Sequence, residues 1–348
     1  MTRSRITVAS IAALALLAPA SLMAQGTATN AAVPVTVKNF QRAESDMYFG
    51  NVVRQVGVGR FTHNRTPTPI EKQDVVRMNR DTLYSSAVFD LDAGPATITL
   101  PDPGKRFMSL QTVTEDHYSP PTAYAPASVT LTRAAIGTRY VMIIVRTLAD
   151  PRSAADLKAA HALQDAIKVE QAGGPGTFEV PNWDKTSRDE IRNLLSALQA
   201  RSGATNEVRM GTKDEVDPIF HLMATATGWG LNPNKDAVYV GGYPAANDGR
   251  TVMTLTLKDV PVDGFWSISV YDAKGFFEKN DLDSYSVNNV TARPNRDGSY
   301  TVQFGGCTKT TANCLVTPPG WNYVARLYRP RAEVIDGSWK FPEPQQVQ

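Results

Sequence analysis

The sequence predicts a mixed α+β, β-rich fold in which two β-patterned halves are joined by a helical segment. Both ends of the chain contain short runs of alternating apolar residues separated by Pro, Gly and Asp, a rhythm typical of a β-sandwich or barrel. The middle contains helix start signals instead. The 348 residues also exceed what one hydrophobic core usually fills, which favours two domains. We place the N-terminal β-rich domain at 35–150, the helical connecting segment at 151–230 and the C-terminal β-sandwich domain at 231–343.

Residues 1–24 have the pattern of a secretory signal peptide. Arg3 and Arg5 precede an apolar run at 6–17, and small residues around Ala24 offer a cleavage site. The run is shorter than the roughly 20 apolar residues that a membrane span needs, and no cysteine follows it that would carry a lipid. We therefore predict a periplasmic or secreted protein with no stable membrane insertion after signal cleavage.

The charge balance disfavours a nucleic-acid partner. The chain has 36 Lys and Arg against 34 Asp and Glu. The predicted signal peptide holds two arginines and no acids, so the remainder has 36 − 2 = 34 basic against 34 acidic residues. A neutral chain without a basic block lacks the electrostatic footprint of a nucleic-acid-binding surface.

The N-terminal half is predicted to begin with an amphipathic helix. Phe40, Ala43, Met47 and Tyr48 recur at helical spacing, and the apolar stripe continues to Val56 before two glycines. Strand-like runs follow at 87–89, 96–100, 106–113, 128–131 and 140–145.

Three helices are predicted in the middle of the chain. Ser153–Asp156 and Ser187–Glu190 have the Ser-x-x-acid spacing of a capping box, in which hydroxyl and carboxylate satisfy free amides at a helix start. A third helix is predicted at 217–228, ending at a glycine.

The C-terminal half returns to strand patterns, at 238–240, 251–257, 265–271, 300–304 and 323–328. Alternation in the third run places Trp266, Ile268 and Val270 on one face, which we assign to the core. The opposite face carries Phe265, Ser267, Ser269 and Tyr271. Tyr328 is assigned a core role as well, because large aromatic residues dominate sandwich cores.

The two cysteines, Cys307 and Cys314, flank a polar loop that reads as a hairpin connection. In an oxidising compartment this spacing predicts a disulfide. A metal site is disfavoured because the loop contains no His, Asp or Glu.

Several motifs along the chain resemble a bacterial family that pairs domain of unknown function 1254 at the N-terminus with domain of unknown function 1214 at the C-terminus. They are Asn39-Phe40, Arg42–Asp46, Asn79–Ser85, Phe89–Leu91, Arg106-Phe107, Asp116–Tyr118, Arg146-Thr147, Ala237–Tyr239, Gly264–Ser267, Tyr271-Asp272, Tyr285-Ser286, Asp297–Ser299, Arg326–Pro330 and Gly337–Trp339. The resemblance implies two β-sandwich or jelly-roll-like halves with helices between them, and it implies no established reaction. The chain departs from the family pattern near Asn313–Leu315 and is shorter between Tyr118 and Tyr140.

Common catalytic and cofactor motifs are absent from the sequence. There is no nucleophile elbow, phosphate-binding loop, dinucleotide fingerprint or His-Glu-x-x-His pair, and we predict no cofactor. His63 and His117 could meet around a metal with Asp116 or Glu115, but they lack ligand spacing. We therefore predict no metal.

The candidate site residues are Asn79, Arg80, Asp81, Thr82 and Tyr84. They place an amide, a guanidinium, a carboxylate and a phenol within a few residues, a set able to bind an anionic or hydroxyl-bearing ligand or to transfer protons. A structural role is the alternative, because buried polar residues often satisfy the backbone.

We add Asp116 and His117 to the candidate site, because polar segments at strand ends of one β domain can converge on one pocket. The sequence favours binding of a small polar ligand, such as a sugar, in a cleft of the N-terminal β domain. The alternative is a hydrolase or lyase in which Asp81 or Asp116 is the base and Tyr84 or His117 the acid.

Overall fold

The computed structural model describes residues 31–73, 76–202 and 207–347. The predicted signal peptide at 1–24 therefore lies outside the described residues. Within these ranges no helix combines the length and the apolar character that a bilayer span requires.

The described chain contains helices and strands in the predicted order. The helices are α1 Phe40–Val56, α2 Arg133–Ile136, α3 Ala154–Asp165, α4 Lys185–Gln199, α5 Pro218–Thr227 and α6 Ala332–Ile335. The strands of the first half are β1 Thr62–His63, β2 Thr82–Asp90, β3 Ala96–Leu100, β4 Met108–Thr114, β5 Ala123–Tyr124, β6 Ala127–Leu131, β7 Tyr140–Leu148 and β8 Lys168–Glu170. Those of the second half are β9 Ala237–Gly242, β10 Met253–Leu257, β11 Trp266–Tyr271, β12 Ser286–Asn288, β13 Tyr300–Phe304, β14 Cys314–Leu315, β15 Asn322–Tyr328 and β16 Gln345–Gln346.

The N-terminal half is a sandwich of two antiparallel sheets. A five-stranded sheet of order β1-β2-β7-β4-β5 packs on a three-stranded sheet of order β6-β3-β8. Apolar residues that alternate along the strands, such as Phe89, Ile98 and Ile143, fill the space between the sheets. The fold class predicted for this half is confirmed.

Helices cover the other face of the five-stranded sheet. Phe49 and Val52 of α1 pack against Val88 and Met142, and α4 and α5 pack on α1. The segment 151–230 also contributes β8, which pairs with β3. Part of this segment therefore belongs to the N-terminal sandwich. The domain boundaries themselves stay predictions.

The helix caps test the predicted starts in the middle segment. The Ser153 hydroxyl accepts the Asp156 amide at the start of α3, as the capping box predicts. The second prediction was wrong by one turn: α4 is capped by Asp184, whose carboxylate accepts the amide of Ser187 at 2.8 Å. A carboxylate three residues before a free amide makes the same bond as a hydroxyl.

The C-terminal half is a second sandwich, in which a sheet of order β12-β11-β15-β9 packs on one of order β14-β13-β10-β16. Trp266, Ile268 and Val270 lie in the core between them, as alternation predicts. Their neighbours Ser267, Ser269 and Tyr271 are also buried, against the N-terminal half.

A disulfide joins Cys307 and Cys314, with Cα atoms 5.6 Å apart. The loop between them is not a hairpin connection, however, because β14 runs parallel to β13. Gly305 and Gly306, both with positive φ, turn the chain away before it returns in the same direction.

Candidate functional site

The segment Asn79–Tyr84 lies in the junction between the two halves. The hydroxyl of Ser267 on β11 donates to a carboxylate oxygen of Asp81 at 2.6 Å. The phenol of Tyr271 donates to the carbonyl of Met78 at 2.8 Å. The polar face of the second sandwich therefore holds this segment in place, and Arg80 and Tyr84 of the segment contact two separate groups of residues.

Asn79 fixes the local geometry. Its Oδ1 accepts the amide of Asp81 at 2.8 Å, so the amide group points the other way. Its Nδ2 reaches the oxygens of Thr82 and Tyr84, each at 3.0 Å, and that of Tyr328 at 3.2 Å. The phenol oxygens of Tyr84 and Tyr328 consequently lie within about 6 Å of each other.

Asp81 is almost fully enclosed, with 2% exposure. Burial raises the pKa of its carboxyl, although Arg326 and the Ser267 hydroxyl act in the opposite direction. Oδ1 has no hydrogen-bond partner among the described residues. Asp81 and Thr82 are both buried. Because Asp81 bonds Ser267 of the other half, its role is to connect the two halves.

Arg80 points away from Asn79 and lines a cavity of about 380 Å³, here called the interdomain cavity. Its guanidinium lies over the ring of Tyr285 at 5.2 Å and donates to the carbonyl of Thr68. The segment Asp281–Asn288 and residues of the loop closed by the disulfide also line the cavity.

The lining of the interdomain cavity is polar and balanced in charge. It contains three basic side chains, from Arg80, Arg152 and Lys309, and three acidic ones, from Asp150, Asp281 and Asp283. The hydroxyl and amide side chains are those of Ser284, Tyr285, Ser286, Asn288, Thr291, Thr308, Thr311 and Asn313. Such a surface suits a ligand with many hydroxyl groups and no net charge.

The second group of side chains, here called the tyrosine crevice, consists of Tyr84, Tyr239, Tyr328, Arg146 and Arg326, which lie close enough to act on one another electrostatically. Arg146 lies on β7 with its guanidinium over the Tyr84 ring at 5.4 Å. It donates to the side chain of Gln111 at 2.7 Å and to the carbonyl of Gly230 at 3.2 Å.

The phenols of the tyrosine crevice differ in acidity. Burial alone would raise the pKa of Tyr84, but Arg146 and the Asn79 amide outweigh it, and the pKa is lowered. Burial raises the pKa of Tyr239. Burial and the two neighbouring phenols raise that of Tyr328 well above its usual value. Tyr239 and Tyr328 are therefore neutral hydrogen-bond donors at physiological pH.

The expected convergence of Asp116 and His117 with Asn79–Tyr84 was wrong. Both β2 and β4 run antiparallel to β7, so they run parallel to each other. Asn79–Tyr84 lies at the start of β2, whereas Asp116 and His117 follow the end of β4. The seven residues of β4 separate the two groups by about 20 Å at the rise of a strand.

Asp116 and His117 have structural partners in the structure. Asp116 accepts from the Arg42 guanidinium at 2.6 Å. His117 is fully buried, and its Nε2 accepts the Gly230 amide at 2.9 Å, so Nδ1 carries the proton and donates to the Thr225 hydroxyl at 2.9 Å. Burial, with His221 nearby, lowers its pKa well below the usual range. A neutral imidazole with both nitrogens bonded does not serve as an acid.

His63 lies on β1, where its Nδ1 bonds the Ser85 hydroxyl at 2.8 Å. Its pairing with Ser85 places His63 near the start of β2. His117 follows the end of β4, at the opposite end of the strands. Across the described ranges, no group of three His, Cys, Asp or Glu residues is arranged to hold a metal ion.

Sequence reasoning did not select Arg146, Arg326 and Tyr239 as site residues. All three occur in the quoted family motifs. An isolated arginine in a buried strand is the signal that would have identified Arg146 and Arg326.

Solved structures support the fold. The chain is similar to the VPA0106 protein from Vibrio parahaemolyticus, with 15% identity, a TM-score of 0.69 and coverage of 90% of this chain and 98% of that one. It is also similar to an uncharacterised protein from Burkholderia cenocepacia, with 14% identity, a TM-score of 0.51 and coverage of 90% and 87%. A search of curated proteins found no significant match.

Two family models match the chain in separate regions. One, described as "Protein of unknown function (DUF1254)", matches residues 58–124, and one described as "Protein of unknown function (DUF1214)" matches residues 242–332. The first match contains Asn79–Tyr84, and the second contains the polar strands β11 and β15 that hold this segment. The chain therefore carries a DUF1254 region followed by a DUF1214 region, in that order.

Proposed function

We propose that this protein binds a small, uncharged, hydroxyl-rich ligand such as a sugar in the interdomain cavity. The observation that carries the proposal is the lining: three basic and three acidic side chains with eight hydroxyl or amide side chains around about 380 Å³. A cavity of this size lies within the range of small-molecule sites. The cavity lies between the halves, so the ligand would contact both of them and not the N-terminal domain alone.

Arg80 is the candidate residue best placed for such a ligand. Its position over Tyr285 and its bond to Thr68 fix the guanidinium at the cavity wall. The structure gives it no carboxylate within ion-pair distance among the described residues, so other guanidinium N–H groups can donate to ligand hydroxyls.

The hydrolase or lyase alternative has less support. Asp116 and His117 lie at the other end of the sheet, and Asp81 is sealed behind Ser267. We infer binding without turnover as the first function to test.

The test uses the chain without residues 1–24, a panel of neutral mono- and disaccharides and polyols, and calorimetry after a thermal-shift screen. Arg80→Met should weaken binding of a sugar found in the screen at least tenfold. Arg60→Met, which removes an exposed arginine, should leave the affinity unchanged.

A second variant covers the case in which Arg80→Met fails to fold. Thr308 is an exposed residue of the cavity wall, and Thr308→Trp should block the space and abolish binding. Binding that survives both variants would contradict the proposal, as would a panel with no ligand at all. Generic esterase and glycosidase substrates are tested for turnover in parallel, and turnover that Arg80→Met removes would favour the enzyme alternative.

A further inference from the structure

We infer that the tyrosine crevice is a second binding site, for a small organic carboxylate that is received by Arg146. This inference is independent of the proposed sugar site, because the crevice lies on the Asn79 side of the junction segment and the interdomain cavity on the Arg80 side.

The tyrosine crevice holds an excess of buried positive charge. Arg146 and Arg326 are 5% and 3% exposed. Neither makes an ion pair within the described part of the chain. Arg326 donates to the hydroxyls of Ser269 and Tyr271 and to main-chain carbonyls. Asp81 is a carboxylate that acts on Arg326, so these two buried guanidinium groups face one buried acid. Buried charges are normally paired, because an unpaired one is costly.

The tyrosine crevice can be reached from solvent beside Tyr239. Tyr239 keeps 36% exposure, while its oxygen lies 2.8 Å from the side-chain amide of the buried Asn232, so the ring is open to solvent on one side and held by a buried residue at its hydroxyl. Gly241 follows two residues later on the same face of β9, opposite Val324. A Cβ atom added at Gly241 would meet no atom within 4 Å. The space beside Tyr239 is therefore open at Gly241.

The tyrosine crevice contains hydrogen-bond donors that suit a carboxylate. Asn232 donates to the Tyr239 oxygen at 2.8 Å, which leaves the Tyr239 hydroxyl proton free to donate elsewhere. The Arg146 guanidinium bonds Gln111, Gly230 and the Tyr84 phenol, and its remaining N–H groups together with the Tyr239 phenol match the two oxygens of a carboxylate. A single net positive charge balances a monoanion and not a phosphate dianion.

The test measures binding of acetate and benzoate to the chain without residues 1–24, by calorimetry and by ligand-observed NMR. Acetamide and benzamide are the neutral controls of equal shape, and inorganic phosphate is the control for any anion. We expect the carboxylates to bind at least tenfold more tightly than the amides and than phosphate. Equal binding of acid and amide, or tighter binding of phosphate, would overturn the inference.

Two variants locate the site. Arg146→Gln should reduce carboxylate affinity at least tenfold. Because that change removes a buried side chain and can prevent folding, Gly241→Leu is the second variant: it places a side chain in the open space and leaves both arginines intact. It should reduce the affinity by at least the same factor, whereas Thr256→Leu, on the exposed face of β10, should not change it. Unchanged carboxylate binding in folded Gly241→Leu would overturn the inference.

Discussion

Asp46 on α1 is a buried carboxyl that should make the stability of this protein depend on pH. It is 3% exposed. Its Oδ2 accepts the indole N–H of Trp183 at 2.7 Å, and its Oδ1 has no partner among the described residues. Burial, helped by the nearby Glu115 carboxylate, raises its pKa from 3.8 to about 7. Between these two pKa values the folded protein therefore holds a proton that the unfolded chain has already lost.

The sign and size follow from this difference. Between about pH 4 and pH 7 unfolding releases the Asp46 proton, so stability falls as pH rises through this window and the loss is complete above pH 7. The pKa values of 3.8 and about 7, at about 1.4 kcal/mol for each pH unit, give a cost of about 4 kcal/mol at pH 8. Asp46→Asn removes that cost and keeps an oxygen for the Trp183 N–H. We expect the variant to gain about 2–4 kcal/mol at pH 8 and almost nothing at pH 4.

Urea unfolding at pH 4, 6 and 8, followed by tryptophan fluorescence, measures this gain. Asp102→Asn makes the same chemical change at an exposed residue, and it should shift stability by less than about 0.5 kcal/mol at every pH. The reasoning is refuted if Asp46→Asn is no more stable than the wild type at pH 8, or if its advantage is the same at all three values.

Three further predictions concern other parts of the chain. A fusion of residues 1–30 to a reporter that works only in the periplasm should be active, and N-terminal sequencing should find Gln25 or a close neighbour; an intact N-terminus in the cytoplasm would end this prediction. Non-reducing peptide mass spectrometry should find Cys307 linked to Cys314, and a double Ser variant should lose no more than about 3 kcal/mol. Ser267→Ala removes the hydroxyl that bonds Asp81, so urea unfolding should show a loss of stability of about 1–3 kcal/mol. An unchanged urea midpoint would show that this bond to Asp81 does not stabilise the fold.

The long periodic elements could be predicted from the sequence, and the short ones could not. The stripe from Phe40 to Val56 predicts α1 over its whole length. Strands of two or three residues, such as β1, β5 and β14, are too short to show a period. The parallel pairing of β14 was also hidden, because a short polar loop between two strands ordinarily indicates a hairpin.

The candidate site was predictable in part. The polar density of Asn79–Tyr84 identified the junction segment. Alternation correctly placed Ser267 and Ser269 opposite the core residues, but it cannot say what covers that face. The error over Asp116 and His117 has a topological cause. The start of β2 and the end of β4 are both polar, and only the register through β7 shows that they lie at opposite ends of the strands.

The arginines themselves separate scaffold from site. Two partly exposed arginines that hold elements together each bind a carboxylate through two contacts: Arg139 binds Asp90, and Arg192 binds Glu44. Arg146 is more buried than either of these arginines, yet it is given an amide oxygen and a main-chain carbonyl. An apolar side chain would fill the same volume without the cost of desolvating a charge. A cation kept in the junction under those conditions is best explained by an anion that comes from outside the chain.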